Sequence, residues 1–166
     1  MSNRLYEEDF VRWSEEQAAA LRKAAGSGVN LPLDWDNLAE EIESLGASQR
    51  YELRSRIAVI VEHLLKLEYS PAKNPRRGWI ETIGRERLNI EDLLEDSPSL
   101  RREVAAMVER SVPRVARLVG QILQRHKEGA PDLKARLAAA SYTPEQVLGD
   151  WFPASTLSPQ RGERAG

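Results

Sequence analysis

Apolar residues recur along this chain at intervals of three and four, the period of an α-helix, almost from end to end. Tyr6, Phe10, Trp13, Gln17, Leu21 and Ala24 fall in step and predict one face of a first helix, stopped by Gly26 and Gly28. After a loop through Pro32, Asp34 or Asp36 can cap the backbone N–H groups of a second helix, and Glu40, Glu41 and Glu43 favour its positive end. Leu38, Ile42 and Leu45 predict the buried stripe of that helix. Gly46 could end it, yet Leu53, Ile57, Ile60, Val61, Leu64 and Leu67 resume the period. A lone glycine costs only about 1 kcal/mol against alanine, so one long helix and two consecutive ones both stay open.

Pro71 and Pro75 end this second helical unit, and Asn74 with Pro75 reads as a cap with proline in the first turn. A third helix then presents Trp79, Ile83, Ile90 and Leu94. Ser97 and Pro98 repeat the signal and open a long fourth helix along Val104, Val108, Val115, Val119 and Ile122. Pro113 interrupts that line without shifting its phase, which predicts a kink and not a break. Gly129 and Pro131 stop the helix. A short helix is expected near residues 133–140, and Thr143, Pro144 and Gln146 spell a capping box for a last turn, after which Trp151 and Phe152 fold back. No strand signal competes. The pattern predicts an all-α fold, a bundle of four main helices with a small C-terminal helical addition. One domain is expected over residues 1–153, with a disordered tail from 154 to 166.

Composition narrows the chemistry more than it names it. At 166 residues and 41% hydrophobic, the chain can bury a core without disulfide or metal. The absence of cysteine removes disulfide frameworks, thiolate metal sites and cysteine nucleophiles, and a cytoplasmic address follows. The opening MSNRLYEEDF is acidic and does not read as a signal peptide; no stretch approaches a membrane span. A net charge of −2 gives no bulk attraction to nucleic acid, which would need a local basic patch.

Polar residues placed among apolar ones mark the candidate site. Gln17 sits within the apolar face of the first helix and Glu86 within that of the third. If the second helix is continuous, Glu41, Glu52, Arg56 and His63 are separated by near-whole turns and form one polar ridge. A carboxylate at Glu86 needs a partner, and His63, Arg56 or Arg87 could supply it. The plainest reading is a hydrogen-bond network that fixes helix register. The catalytic candidates are His63, Arg56, Glu52 and Glu86. Arg56 and His63 stand in an R-x6-H arrangement similar to that of helical ribonuclease toxins of the higher eukaryote and prokaryote nucleotide-binding type, which implies a histidine acting on a ribose hydroxyl and an arginine holding phosphate. Glu41, His63 and Glu86 could instead converge on a metal, but the paired Glu-x-x-His repeats of such sites are absent, and no metal or cofactor is expected. Glu52 or Glu86 beside His63 could also form an acid/base pair.

The basic residues fall into two groups. Arg110, Arg114, Arg117 and Arg125 line the polar face of the fourth helix, read as solvated because Glu103 and Glu128 share the stripe. Lys73, Arg76 and Arg77 cluster before the third helix, where the helix end favours an anion. With Glu41 and Arg87 they make up the candidate binding residues. His126 and Lys127 complement the negative end of the fourth helix.

Six blocks in order, YEEDFVRWSEEQAAALR (6–22), LAEEIESLG (38–46), HLLKLEY (63–69), WIETIGRER (79–87), LLEDSPSL (93–100) and YTPEQVLGDWFP (142–153), together resemble the bacterial family called domain of unknown function 29. The resemblance spans nearly the whole chain and implies a compact all-helical protein, with no activity and no catalytic residue to carry over. Gly78, where a serine is usual, and Pro113 depart from the family pattern. The function expected is a binding or interaction module without catalysis, its partner an unidentified protein, with nucleic acid disfavoured and no membrane. The alternative is a metal-independent ribonuclease built on Arg56 and His63.

Overall fold

A computed structural model of the chain describes residues 3–154, and every regular element in that span is helical. These are α1 (Asn3–Glu8), α2 (Phe10–Gly26), α3 (Trp35–Tyr69), α4 (Arg76–Asp96), a 3₁₀ helix (Pro98–Glu103), α5 (Val104–Arg125), α6 (Leu133–Ala138) and α7 (Pro144–Leu148). The fold is all-α, with α2 to α5 as the four main helices and α6 and α7 as the small C-terminal addition. The tail expected to be disordered lies, beyond Ala154, outside the described residues. No described helix is long and apolar enough to cross a membrane. The chain divides into two compact units, the first from residues up to 56 with 88–107, the second from 57–87 with 108 onward.

In the first unit, the helix expected to run unbroken from Tyr6 is interrupted at Asp9, whose backbone is extended and whose carboxylate accepts from the Arg12 N–H at 3.0 Å. Asp9 also accepts from the Ser99 N–H at 2.8 Å and from its hydroxyl at 2.9 Å, so a buried carboxylate caps α2 and anchors the 3₁₀ helix together. The buried face of α2 is then Val11, Ser14 and Ala18, not the predicted line through Tyr6, Phe10, Trp13 and Leu21. The three aromatics pack against one another instead, Tyr6 edge to face with Phe10 and Trp13, with centroids 4.8–5.7 Å apart, and Tyr6 is exposed. Gln17 is half-buried at the edge of the face.

α3 is one helix of 35 residues, so Gly46 does not break it. Gly46 is buried against α2, where a Cβ would collide with the Ser14 hydroxyl, itself donating to the Val11 carbonyl at 2.8 Å. Glycine is needed there for close approach, and the buried line of this half of α3 is Ala39, Gly46 and Leu53. The expected stripe is displaced: Leu38 and Leu45 are 39% and 50% exposed and Ile42 is half-buried. Ser97 makes no cap for the 3₁₀ helix; its hydroxyl accepts from the Val11 N–H and donates to Gln49.

The second unit is packed from large aliphatics, as the period predicts. Ile57, Ile60, Val61, Leu64 and Leu67 of α3, Ile83 of α4 and Val108, Val115 and Val119 of α5 are all buried. Each full burial of such a side chain contributes roughly 1.5–3 kcal/mol. The Arg76 guanidinium closes the C-terminal end of α3, donating to the carbonyls of Leu67 at 2.6 Å and Ser70 at 3.1 Å, groups that the helix cannot satisfy itself. α5 passes through Pro113 without a break. It ends where Glu128 N–H bonds to the Leu123 carbonyl and Lys127 N–H to that of Gln124, with Lys127 in the left-handed region at φ 55°. The stop is therefore Lys127, two residues before Gly129. The capping box forms as expected, Thr143 and Gln146 each satisfying the other's N–H.

Candidate functional site

Several of the candidate residues have local partners. On α3, Glu52 and Arg56 form an ion pair at 2.8 Å, and His63 Nδ1 lies 2.7 Å from the Val59 carbonyl one turn back. Glu41 is exposed, and Glu86 is half-buried with an interaction of its own. Among the described residues no three side chains are grouped to hold a metal ion. Of the basic cluster before α4, Arg76 is drawn onto the end of α3, Arg77 pairs with Glu81 at 3.0 Å, and Lys73 is exposed. A Cβ at Gly78 would meet nothing within 4 Å.

Arg87 holds the C-terminal segment in place. Its guanidinium donates to the carbonyls of Val147 and Gln146 at 2.9 Å and of Trp151 at 2.7 Å, and lies 4.8 Å from the Phe152 ring centroid. Burial pulls this arginine below its usual value. Nearby, the Tyr142 hydroxyl donates to Glu68 at 2.6 Å; burial first, then that bond and the Glu68 charge, push the phenol well above its ordinary range. Trp151 packs beside Tyr142. These contacts fold the terminal aromatics back, as the sequence suggests, and fix α7 in the second unit.

A different surface has the properties of a site. Between α5 and α6 lies a groove of about 810 Å³. Buried Ala116, Leu133 and Leu137 give it an apolar floor, with Pro113 and Gly120 beside them. Gly120 lets α6 approach, since a Cβ there would press on Leu137 at 3.3 Å. The exposed rim carries Arg110, Arg114, Arg117 and Lys134, with Gln121 and Gln124 between, and no carboxylate lines it. A smaller pocket of about 400 Å³ shares Gln124, Leu133 and Lys134 and extends to Lys127.

The arginine stripe was legible, but its balance was not. Glu103 stands in the 3₁₀ helix, out of phase with α5, and both its oxygens take the Arg50 Nε–H, at 2.7 and 3.0 Å. Glu128 lies past the left-handed Lys127 and accepts from the Ser70 hydroxyl at 3.0 Å. Both carboxylates thus leave the stripe they were expected to neutralise. Among the described residues none pairs with Arg114, Arg117 or Lys134. The placement of α6 over the small residues of α5 had no sequence signal beyond its own short amphipathic period.

Comparison with known proteins agrees on the fold. The family model described as Domain of unknown function DUF29 matches residues 5–152. A crystal structure of an α-helical protein of unknown function from Rhodospirillum rubrum is similar over 89% of this chain and 98% of that one, with a TM-score of 0.60 and 21% identity. No curated protein matches the chain.

Proposed function

The chain belongs to the domain of unknown function 29 family, whose description assigns no activity, and we propose that it is a binding module without catalysis whose ligand surface is the α5–α6 groove. The observation that carries this reading is the rim of Arg110, Arg114, Arg117 and Lys134 over an apolar floor, with no carboxylate in the lining. Cations of one sign held along a low-dielectric wall attract an acidic ligand and repel one another, so an acidic ligand relieves a standing cost. The floor adds apolar burial, and the groove falls within the size range of ligand sites. No aromatic side chain lines it, so it lacks the stacking platform that single-stranded nucleic acid needs. An acidic segment with one apolar face fits best, a helix laid in the groove. The partner in this reading is another protein in the cytoplasm, a compartment that suits a chain without cysteine.

A ribonuclease centred on Arg56 and His63 finds less support, because Glu52 already engages the guanidinium that would hold phosphate. The test is fluorescence anisotropy of a labelled acidic amphipathic peptide against wild type and Arg114→Glu/Arg117→Glu. Exposed pairs are worth roughly 0.2–1 kcal/mol each, and reversal turns attraction into repulsion. We expect saturable binding that added salt weakens, and at least about a tenfold loss in the variant, on the order of 1.4 kcal/mol, with Tm unchanged. Equal binding by both proteins, or RNA cleavage abolished by His63→Ala, would overturn the reading.

A further inference from the structure

The chain itself carries a segment of the kind that the groove is built to take. Residues 35–49, which open α3, hold four carboxylates and no cation, and of the four Glu43 pairs with Arg22 of α2. Leu38, Ile42 and Leu45 lie on one side of this helix at spacings of four and three, and the small residues Ala39 and Gly46, not these, face the core. Glu41 and Glu52 follow the outer edge of that stripe, less than a third of a turn away on the helix wheel, Glu52 paired with Arg56. An exposed leucine stripe edged by carboxylates is an acidic amphipathic helix whose apolar face has been left uncovered within its own unit. Leu38 to Leu45 spans seven residues, as does Arg110 to Arg117, so stripe and rim each run about 10.5 Å along their helices.

We infer that the α5–α6 groove binds the N-terminal half of α3 from a second copy of this chain. The contact rests on the groove being a binding surface, and it specifies the occupant. Leu38, Ile42 and Leu45 cover the floor at Leu133 and Leu137, while Glu41 meets the rim at Arg114, Arg117 and Lys134. The two surfaces differ, so the interface is heterologous: each copy offers one groove and one stripe, and assembly runs head to tail into rings or open chains. Salt weakens it, because the charges are exposed.

A heterologous interface has a signature that mixing reveals. Arg114→Glu/Arg117→Glu destroys the groove and keeps the stripe; Leu38→Gln/Leu45→Gln destroys the stripe and keeps the groove. Mass is measured by light scattering over a concentration series, with helicity and Tm checked for each variant. Wild type is expected to grow in mass with concentration. Each variant alone is expected to stay at the 18.7 kDa of one chain, while their equimolar mixture forms a species of twice that mass and no more. If Leu38→Gln/Leu45→Gln fails to fold, Glu41→Lys takes its place in the mixture. Wild type that stays a monomer at every concentration, or variants whose mixture stays monomeric while wild type assembles, would overturn the inference. Should wild type be monomeric yet bind the acidic peptide, the self-contact fails and the groove's binding role stands.

Discussion

The α2–α3 contact of the first unit and the interior of the second solve the packing of helices in opposite ways. In the first, Gly46 of α3 meets Ser14 and the Val11 backbone of α2, so the backbones come close, and Leu38 and Leu45 of α3 lie at the surface. In the second, Ile57, Ile60, Leu64, Ile83 and Val119 fill the interior with branched side chains, and the small residues of α5 face outward to seat α6 and form the groove. Close contact through small residues buries little apolar area per residue, and the first unit adds polar ties: Asp9 to Ser99, Ser97 to Gln49, Arg50 to Glu103. The lesson is that the same helical period can direct either large or small residues inward. Which of them goes inward decides what the surface offers to a partner.

Substitutions can break this contrast, beginning with the largest effect. Leu64 is fully buried in the second unit, and Leu64→Ala is expected to lower the unfolding free energy in urea by about 3 kcal/mol; a loss under about 1 kcal/mol would mean that the unit is not held by its aliphatic core. Gly46→Ala pits two terms against each other. Helix propensity favours alanine by about 1 kcal/mol, while the collision with Ser14 costs about 1–3 kcal/mol, so we expect a net loss by thermal melting that Ser14→Ala/Gly46→Ala largely recovers. Stabilisation by Gly46→Ala alone would show that the helices do not approach so closely. Lys127→Gly should raise stability by about 1 kcal/mol, since a side chain in the left-handed region is strained where glycine is not. The same change removes a cation from the end of the groove. Smallest of all, Leu45→Ala should shift the denaturation midpoint by less than about 0.5 kcal/mol equivalent, a change that a buried leucine could not match.

Much of the large-aliphatic core was legible in the sequence. The apolar lines of α3 beyond Gly46, of α4 and of α5 are the lines found buried, and the Thr143 capping box is where its motif predicts. Large aliphatics at helical spacing carry their own signal, because burying them is worth more than any alternative use of the same face. The first unit was misread where the inward residues were Ser14, Ala39 and Gly46, since small side chains look neutral in a pattern of apolar and polar positions. For the site, the arginine stripe of α5 was visible, but its neutralisation by Glu103 and Glu128 was inferred from phase. Phase failed at both ends, one turned by a 3₁₀ helix and the other by a left-handed residue. Arg76 and Arg87 could not be placed either, because their partners are backbone carbonyls, which every sequence contains and none marks.

The sequence alone determined that this protein is helical throughout its described span, where most helices start and stop, and that it has no cysteine chemistry. Those properties depend on local terms: period, caps, prolines and composition. The tertiary structure decided which face of α2 and of the first half of α3 turns inward, which carboxylates stay with the arginines of α5, and where α6 comes to rest. These are outcomes of contact between segments far apart in the chain, where a hydroxyl against a glycine or a guanidinium over a helix end tips a balance that no local pattern records.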